Sequence, residues 1–482
     1  MPSPNPLPRP LAACLAALAT ATLLGACAGG PAVPPVAALE LPPGWQAPLP
    51  HSGQLTLLHA WWGQFDDPLL ARLIDAAQEV SPSVASAAAR IEQSRATRVA
   101  AGAALLPSLD ASASLSRGRP DFVTPLGNLG SAGLQAAWEI DLFGGRRAAR
   151  DAAQQRLDGA QALWHDARVS VAAEVATNYT ELRACEAQAE QARADAASRA
   201  ETARLTELSM KAGFEAPARA AQARARAAQG RNLLTQRRAQ CDALVKGLVA
   251  LTGIAEPALR TQLAGRTATL PQPAQIVIDS VPARALAQRP DLFNAERELL
   301  AALAEVAQAQ AQRWPRIGLA GSIGAARFES GAAVIDGTLW TIGPVTVALP
   351  IFDAGTRRAN VAAAQARRVE AEALYRTRLR GALREVEQAL VALRSTAERG
   401  ADAQIASEGF DASLRATQAR FRGGLASLFE LEDARRSAVQ AQAALIDLQR
   451  ERTTAWIALY RALGGGWSEA DAQLATVAPA AP

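Results

Sequence analysis

Histidine, methionine and tyrosine are scarce in this chain, whose 482 residues include only 3, 2 and 3 of them. His51 and His59 fall near the N-terminus and His165 stands alone. No His-Glu-x-x-His or Cys-x-x-Cys spacing occurs, so nothing supplies a metal centre or a histidine acid–base site. Net charge is only +4, with acids and bases interleaved rather than blocked, which argues against nucleic acid as a partner. Glu430, Glu432 and Asp433 sit beside Arg435 and Arg436 in helical sequence and read as ion-paired surface, not as a catalytic carboxylate pair. Gly464-Gly465-Gly466 follows Leu463 and reads as a helix terminator rather than a phosphate cradle. The expectation is a protein that is not an enzyme and holds no metal. Long apolar runs are missing too. Beyond the N-terminal region no stretch reaches the roughly 18 apolar residues of a spanning helix, so any membrane crossing falls to strands.

What is abundant is alanine, in long tracts of Ala, Arg, Glu, Gln, Leu and Asp, a composition of long helices and coiled coils. The N-terminus has Arg9, an apolar run from Leu11 to Leu24, and then Leu24-Gly25-Ala26-Cys27, which fits a signal peptide over residues 1–26. Those four residues resemble a bacterial lipobox, which implies cleavage before Cys27 and a covalent lipid on it, the one non-protein group expected. The alternative is a plain signal peptide cut after an Ala-x-Ala-like site. Residues 27–58 are rich in Pro and Gly and read as a tether.

The main body is a tandem duplication. Ser81-Pro82 matches Arg289-Pro290, and Leu106-Pro107-Ser108-Leu109 matches Trp314-Pro315-Arg316-Ile317, at an offset of 208 (290 minus 82). Arg146-Arg147 then matches Arg357-Arg358, and Glu174-Val175 matches Glu385-Val386, at 211 (357 minus 146). Each unit reads as short helix, two strands, very long helix, glycine tip and second helix. The first unit spans 59–255, with strands at about 107–118 and 131–142 and a tip at about 213. A linker covers 256–280. The second unit spans 281–464, with strands at about 315–327 and 338–351 and a tip at about 423, and 465–482 reads as a disordered tail. Leu109, Ala111, Ala113 and Leu115 alternate with Ser108, Asp110, Ser112 and Ser114, giving one apolar face. Ile317, Leu319, Gly321 and Ile323 are expected to answer Val345, Val347, Leu349 and Ile351. The same alternation would suit a soluble hairpin or a bilayer-crossing strand.

Glycines punctuate the helices at Gly213-Phe214 and at Gly423-Gly424, and Leu425, Phe429 and Asp433 follow at i, i+4, i+8, expected on one helix face. Cys185 and Cys241 each lie 28 residues from the first tip (213 minus 185, 241 minus 213), level on antiparallel helices. An exported protein meets an oxidising compartment, so a disulfide is expected, the alternative being two separately buried thiols.

The Trp61-Trp62 opening before Asp67-Pro68, the lipobox and the glycine tips together resemble the TolC-like outer membrane factor family, in its lipoprotein branch. The resemblance covers nearly all of the mature chain. It implies that Leu425, Phe429 and Asp433 occupy the positions lining a constricted periplasmic opening, with Arg422 and Glu430 placed to hold it closed by ion pairs. Phe421 stands where tyrosine is common in that family, and Ala426 where some relatives carry arginine. The alternative is that Leu425 and Phe429 only pack the hairpin turn.

The fold class expected is mainly α with a membrane β-barrel portion. Four strands cannot close a barrel, since single-chain barrels begin at eight, whereas three copies give twelve. A homotrimer is therefore expected, with a twelve-stranded barrel in the outer membrane continued by a coiled-coil tunnel into the periplasm. The resemblance implies a passive efflux duct working with a periplasmic adaptor and an inner-membrane pump. A type I protein-secretion duct and a structural envelope lipoprotein without channel activity are the alternatives.

Overall fold

The computed structural model describes residues 58–119, 125–273, 286, 289–331 and 333–467. Contacts divide the chain into two units, the first built around residues 90–160 and 294–376, the second around 40–89, 161–293 and 377–482. The duplication is visible in the element bounds. Helix α1 is Pro68–Val80 and α2 is Pro82–Ala103, followed by β1 (Ser108–Gly118), β2 (Gly127–Ile140), α3 (Gly145–Lys211), α4 (Pro217–Thr252) and α5 (Glu256–Leu263). The second half has α6 (Pro290–Ala311), β3 (Arg316–Ser330), β4 (Ala333–Ala348), α7 (Thr356–Arg422) and α8 (Leu428–Ala462). Helices α3 and α7 are both 67 residues long, and α2 and α6 both 22.

The first unit holds one antiparallel sheet in the order β1-β2-β3-β4. Its register aligns Leu109, Ala136, Gly321 and Ile342 in one row, and Ala111, Leu134, Ile323 and Trp340 in the next, so one face is an apolar band. The opposite face of the same rows carries Asp110, Gln135, Ser322 and Thr341, with Ser114 and Ser131 bonded hydroxyl to hydroxyl at 2.8 Å. One polar face and one apolar face suits strands that stand between water and an apolar medium.

Two strand expectations need correction. Strand β2 begins at Gly127 rather than near 131, because its first residues pair through the backbone without the apolar alternation that marks the rest. Strand β4 begins at Ala333 rather than near 338 and ends at Ala348, so Leu349 and Ile351 lie beyond it. Ile317 and Leu319 pair with Val347 and Val345, but Gly321 and Ile323 pair with Ile342 and Trp340. The ladder shifts between Leu319 and Gly321, opposite Gly343-Pro344, where proline has no N–H to donate.

The second unit has a core in which Trp61 meets Trp456 and Tyr460 at ring distances of 6.3 and 5.4 Å, and Trp62 meets Tyr460 at 4.7 Å. Asp67 starts α1 by accepting from the Leu69 and Leu70 backbone N–H groups, with Pro68 in the first turn, and its other oxygen accepts from the Tyr179 hydroxyl at 2.7 Å. That one buried carboxylate fixes the start of α1 against α3. Arg183, fully buried, donates to Glu186 and to the Leu263 carbonyl and lies over the Tyr179 ring. The expected linker at 256–280 accordingly opens with a packed helix, α5, whose Leu259 and Leu263 join the core. The tail begins packed as well. Trp467 is buried against Phe293 and Ala162, and residues 468–482 lie outside the described ones.

Cys185 of α3 and Cys241 of α4 are disulfide-bonded, their Cα atoms 5.6 Å apart. The bridge closes a loop of 56 residues, for which chain entropy allows about 4 kcal/mol. Mass spectrometry of the exported, non-reduced protein is expected to find one cross-linked peptide pair. Two free thiols would overturn the bridge.

Candidate functional site

The two hairpin tips are built by the same backbone device. At the first, Gly213 has φ +83°, its N–H bonds the Met210 carbonyl at 3.0 Å, and the Phe214 N–H bonds the Ser209 carbonyl at 2.9 Å. At the second, Gly424 has φ +74°, its N–H bonds the Phe421 carbonyl at 3.1 Å, and the Leu425 N–H bonds Arg420 at 2.8 Å. This pair of bonds ends a helix and needs one left-handed residue, which is why glycine stands at 213 and 424. Gly423 is different: it belongs to the last turn, bonded to the Ala419 carbonyl at 3.1 Å.

Helix α8 then begins at Leu428, not at Leu425. Ser427 accepts from the Glu430 backbone N–H at 3.2 Å while the Glu430 carboxylate accepts from the Ser427 N–H at 2.6 Å, a reciprocal cap. Leu425 therefore sits in the turn, and only Phe429 and Asp433 share a helix face. Glu430 has Arg420 as its nearby cation, at 3.7 Å, while Arg422 is exposed in the last turn of α7. The Ser427 N–H, the Ser427 side chain and Arg420 hold the Glu430 carboxyl below its usual range. Its cap contribution is thus present at neutral pH and is lost as pH falls through that lowered value.

Leu425 and Phe429 are each 74% exposed, and Phe214 at the other tip is 86% exposed. The residue that packs the hairpin is Leu428, buried with Ala203, Ala223 and Ala227 and flanked by Phe421. Packing of the turn does not account for Leu425 and Phe429. Asp433 is half-exposed and ion-paired with Arg436 one turn on.

Glu432 and Arg435, expected on the surface, are 4% and 2% exposed. Arg435 donates to Glu432, to Ser198 Oγ at 2.9 Å and to Thr202 Oγ1 at 3.2 Å, with Asp195 at 3.9 Å. Arg199 joins Asp195 at 2.7 Å and Glu432 at 3.2 Å. Burial pulls the Arg435 guanidinium below its ordinary value, against the opposing pull of Glu432 and Asp195. A signal for this was present: Leu428, Leu431, Arg435 and Ala438 fall at spacings of three and four, which places Arg435 on the buried seam.

Residues 73–254 and 281–465 each match the model of the outer membrane efflux protein family. This chain belongs to that family. It is an outer-membrane channel of an efflux system, mainly helical with a small sheet, and its two family segments follow the duplication. The pyoverdine export outer membrane protein OpmQ of Pseudomonas putida is 33% identical over 450 residues, 90% of this chain and 94% of that one. The toluene efflux pump outer membrane protein TtgI of Pseudomonas putida is 32% identical over 84% of this chain and 87% of its own. The solved outer-membrane channel OprN aligns with a TM-score of 0.76 at 28% identity, covering 89% of this chain and 99% of that one. The outer membrane protein VceC from Vibrio cholerae aligns at 0.73 and 27% identity, over 85% and 99%.

The buried charges bind α8, the helix of Phe429 and Asp433, to α3. Removing one member strands its partners, at a cost of about 3–5 kcal/mol, whereas replacing both by apolar residues is near neutral. Arg435→Ala should lower the melting temperature of the detergent-solubilised protein by several degrees, and Glu432→Leu combined with Arg435→Met should recover most of the loss. Equal loss in both variants would mean that the pair is not coupled.

Proposed function

We propose that three copies of this chain form a passive exit duct for small molecules, the outer-membrane part of a tripartite system. An inner-membrane pump supplies the energy and a periplasmic adaptor docks at the hairpin tips. The four-stranded sheets complete a twelve-stranded barrel, the long helices line the periplasmic tunnel, and lipid on Cys27, which lies outside the described residues, anchors the N-terminus. No catalysis or cofactor enters this reading.

The observation that carries it is the pair of bare apolar side chains, Leu425 and Phe429, standing ahead of Asp433 at a tip whose fold does not need them. Around a three-fold axis they make an apolar ring that blocks ions by dewetting, and Asp433 adds a ring of like charge favouring cations. Opening requires the tips to splay, and an adaptor promotes it only by binding the open form more tightly. Small-molecule cargo is favoured over protein secretion by the relatives, whose names give pyoverdine and toluene.

Planar-bilayer recording tests the gate. Replacing Leu425 and Phe429 together by Ser should raise single-channel conductance without any adaptor, and Asp433→Asn should chiefly reduce cation preference. Unchanged conductance in an assembled trimer would put the constriction elsewhere. The anchor is checked separately: Cys27→Ser should abolish incorporation of labelled palmitate, and retained label would remove the lipid claim while leaving the duct.

A further inference from the structure

The water-side face of the sheet is small or polar except at two levels: one row, Ser112, Gly133, Gly324 and Leu339, carries a single large apolar side chain, and one carries three. Going along the strands, one row holds Asp110, Gln135, Ser322 and Thr341, and another Ser114, Ser131, Ala326 and Gly337. The next row outward holds Ser116, Leu129, Phe328 and Ile335, three neighbouring strands each placing a large apolar side chain at one height. On the opposite, apolar face this is where charge appears, in the rows Arg327–Asp336 and Arg117–Asn128–Glu329. The two faces therefore exchange character near the hairpin end of the sheet.

The reversal on the water side is built in. A Cβ added to Gly127 would lie 2.5 Å from Phe328 Cζ, so the ring occupies space that only glycine leaves free. Leu129 and Ile335 flank it, 37% and 69% exposed.

We propose that Leu129, Phe328 and Ile335 are specificity-determining residues of the duct. Repeated in each copy, they form an apolar collar inside the barrel near its outer end. The collar takes solutes that carry apolar surface, which gain contact with three side chains of each copy there, while the rows below it offer at most the one Leu339. This rests on the trimeric duct proposed above. The collar lies in series with the tip constriction, so its effect is measurable only once the tip conducts.

The test uses full-length trimers carrying Ser at 425 and 429, recorded in planar bilayers with tetraphenylphosphonium, a bulky apolar cation, as blocker. A channel that conducts is the background; failure of this parent to conduct speaks against the duct, not the collar. Adding Leu129→Ser, Phe328→Ser and Ile335→Ser should weaken block about fivefold or more, the loss expected when a few side chains of apolar contact are removed. Ile335→Trp, at an exposed position that leaves the Phe328–Gly127 contact in place, should instead strengthen block and lower conductance. Ile323→Val on the apolar face should change neither. Block unchanged by the Ile335→Trp substitution overturns the collar, whether or not the triple variant assembles.

Discussion

A backbone amide inside hydrocarbon has no water to bond, and each one left unpaired costs several kcal/mol. This constraint governs the sheet. Strands β2 and β3 are paired on both sides, but among the described residues β1 and β4 each have a partner on one side only. With an apolar band on one face, such a sheet can enter a bilayer only if its edges are closed, and four strands are too few to curl onto themselves. Closure by further copies satisfies the edges, and the polar rows of the other face then line water. Hydrogen-bond accounting thus supports the duct reading independently of the tip side chains.

The helical part obeys a different economy. Its helices are long and alanine-rich, with few large side chains, so most turns bury little apolar area and stability concentrates at a few points. One is the aromatic core around Trp61, Trp456 and Tyr460, held by the Asp67 carboxylate that caps α1 and accepts from Tyr179. Another is the disulfide between α3 and α4, and a third the buried Glu432–Arg435 group, where Ser198 and Thr202 complete the hydrogen bonds that a buried guanidinium demands. Between these points the helices are joined mainly by small residues, an arrangement in which sliding or splaying of a tip disturbs few contacts.

Periodic features were legible from the residues alone. The offsets of 208 and 211 carry over to the helix bounds, Gly145 to Thr356 and Lys211 to Arg422, because an alanine-rich helix is stopped only by Gly or Pro. What escaped was set by tertiary partners. Leu259 and Leu263 make a helix of an apparent linker because a core awaits them, and Trp467 turns the start of an apparent tail into structure. Glu432 and Arg435 look like surface charge until Asp195, Arg199 and Ser198 are brought opposite them from about 235 residues away. Leu425 reads as part of the helix face because spacing alone cannot tell a turn residue from a first-turn residue; the Ser427–Glu430 cap puts it in the turn.

The duplication itself separates what the hairpin needs from what it carries. At the offset of 211, Gly213 answers Gly424, and both take the left-handed conformation that ends a helix. Phe214 answers Leu425, both bare. From there the copies diverge: Ala218 answers Phe429, Gln222 answers Asp433 and Ala221 answers Glu432. The first tip folds without those three side chains, starting α4 with Pro217 and no side-chain cap. A second tip of the same backbone therefore does not require Phe429 or Asp433 to fold. Phe429 exposed to water, with the Asp433 carboxylate one turn behind, is an added cost on that copy alone, and the gate proposed above would account for it.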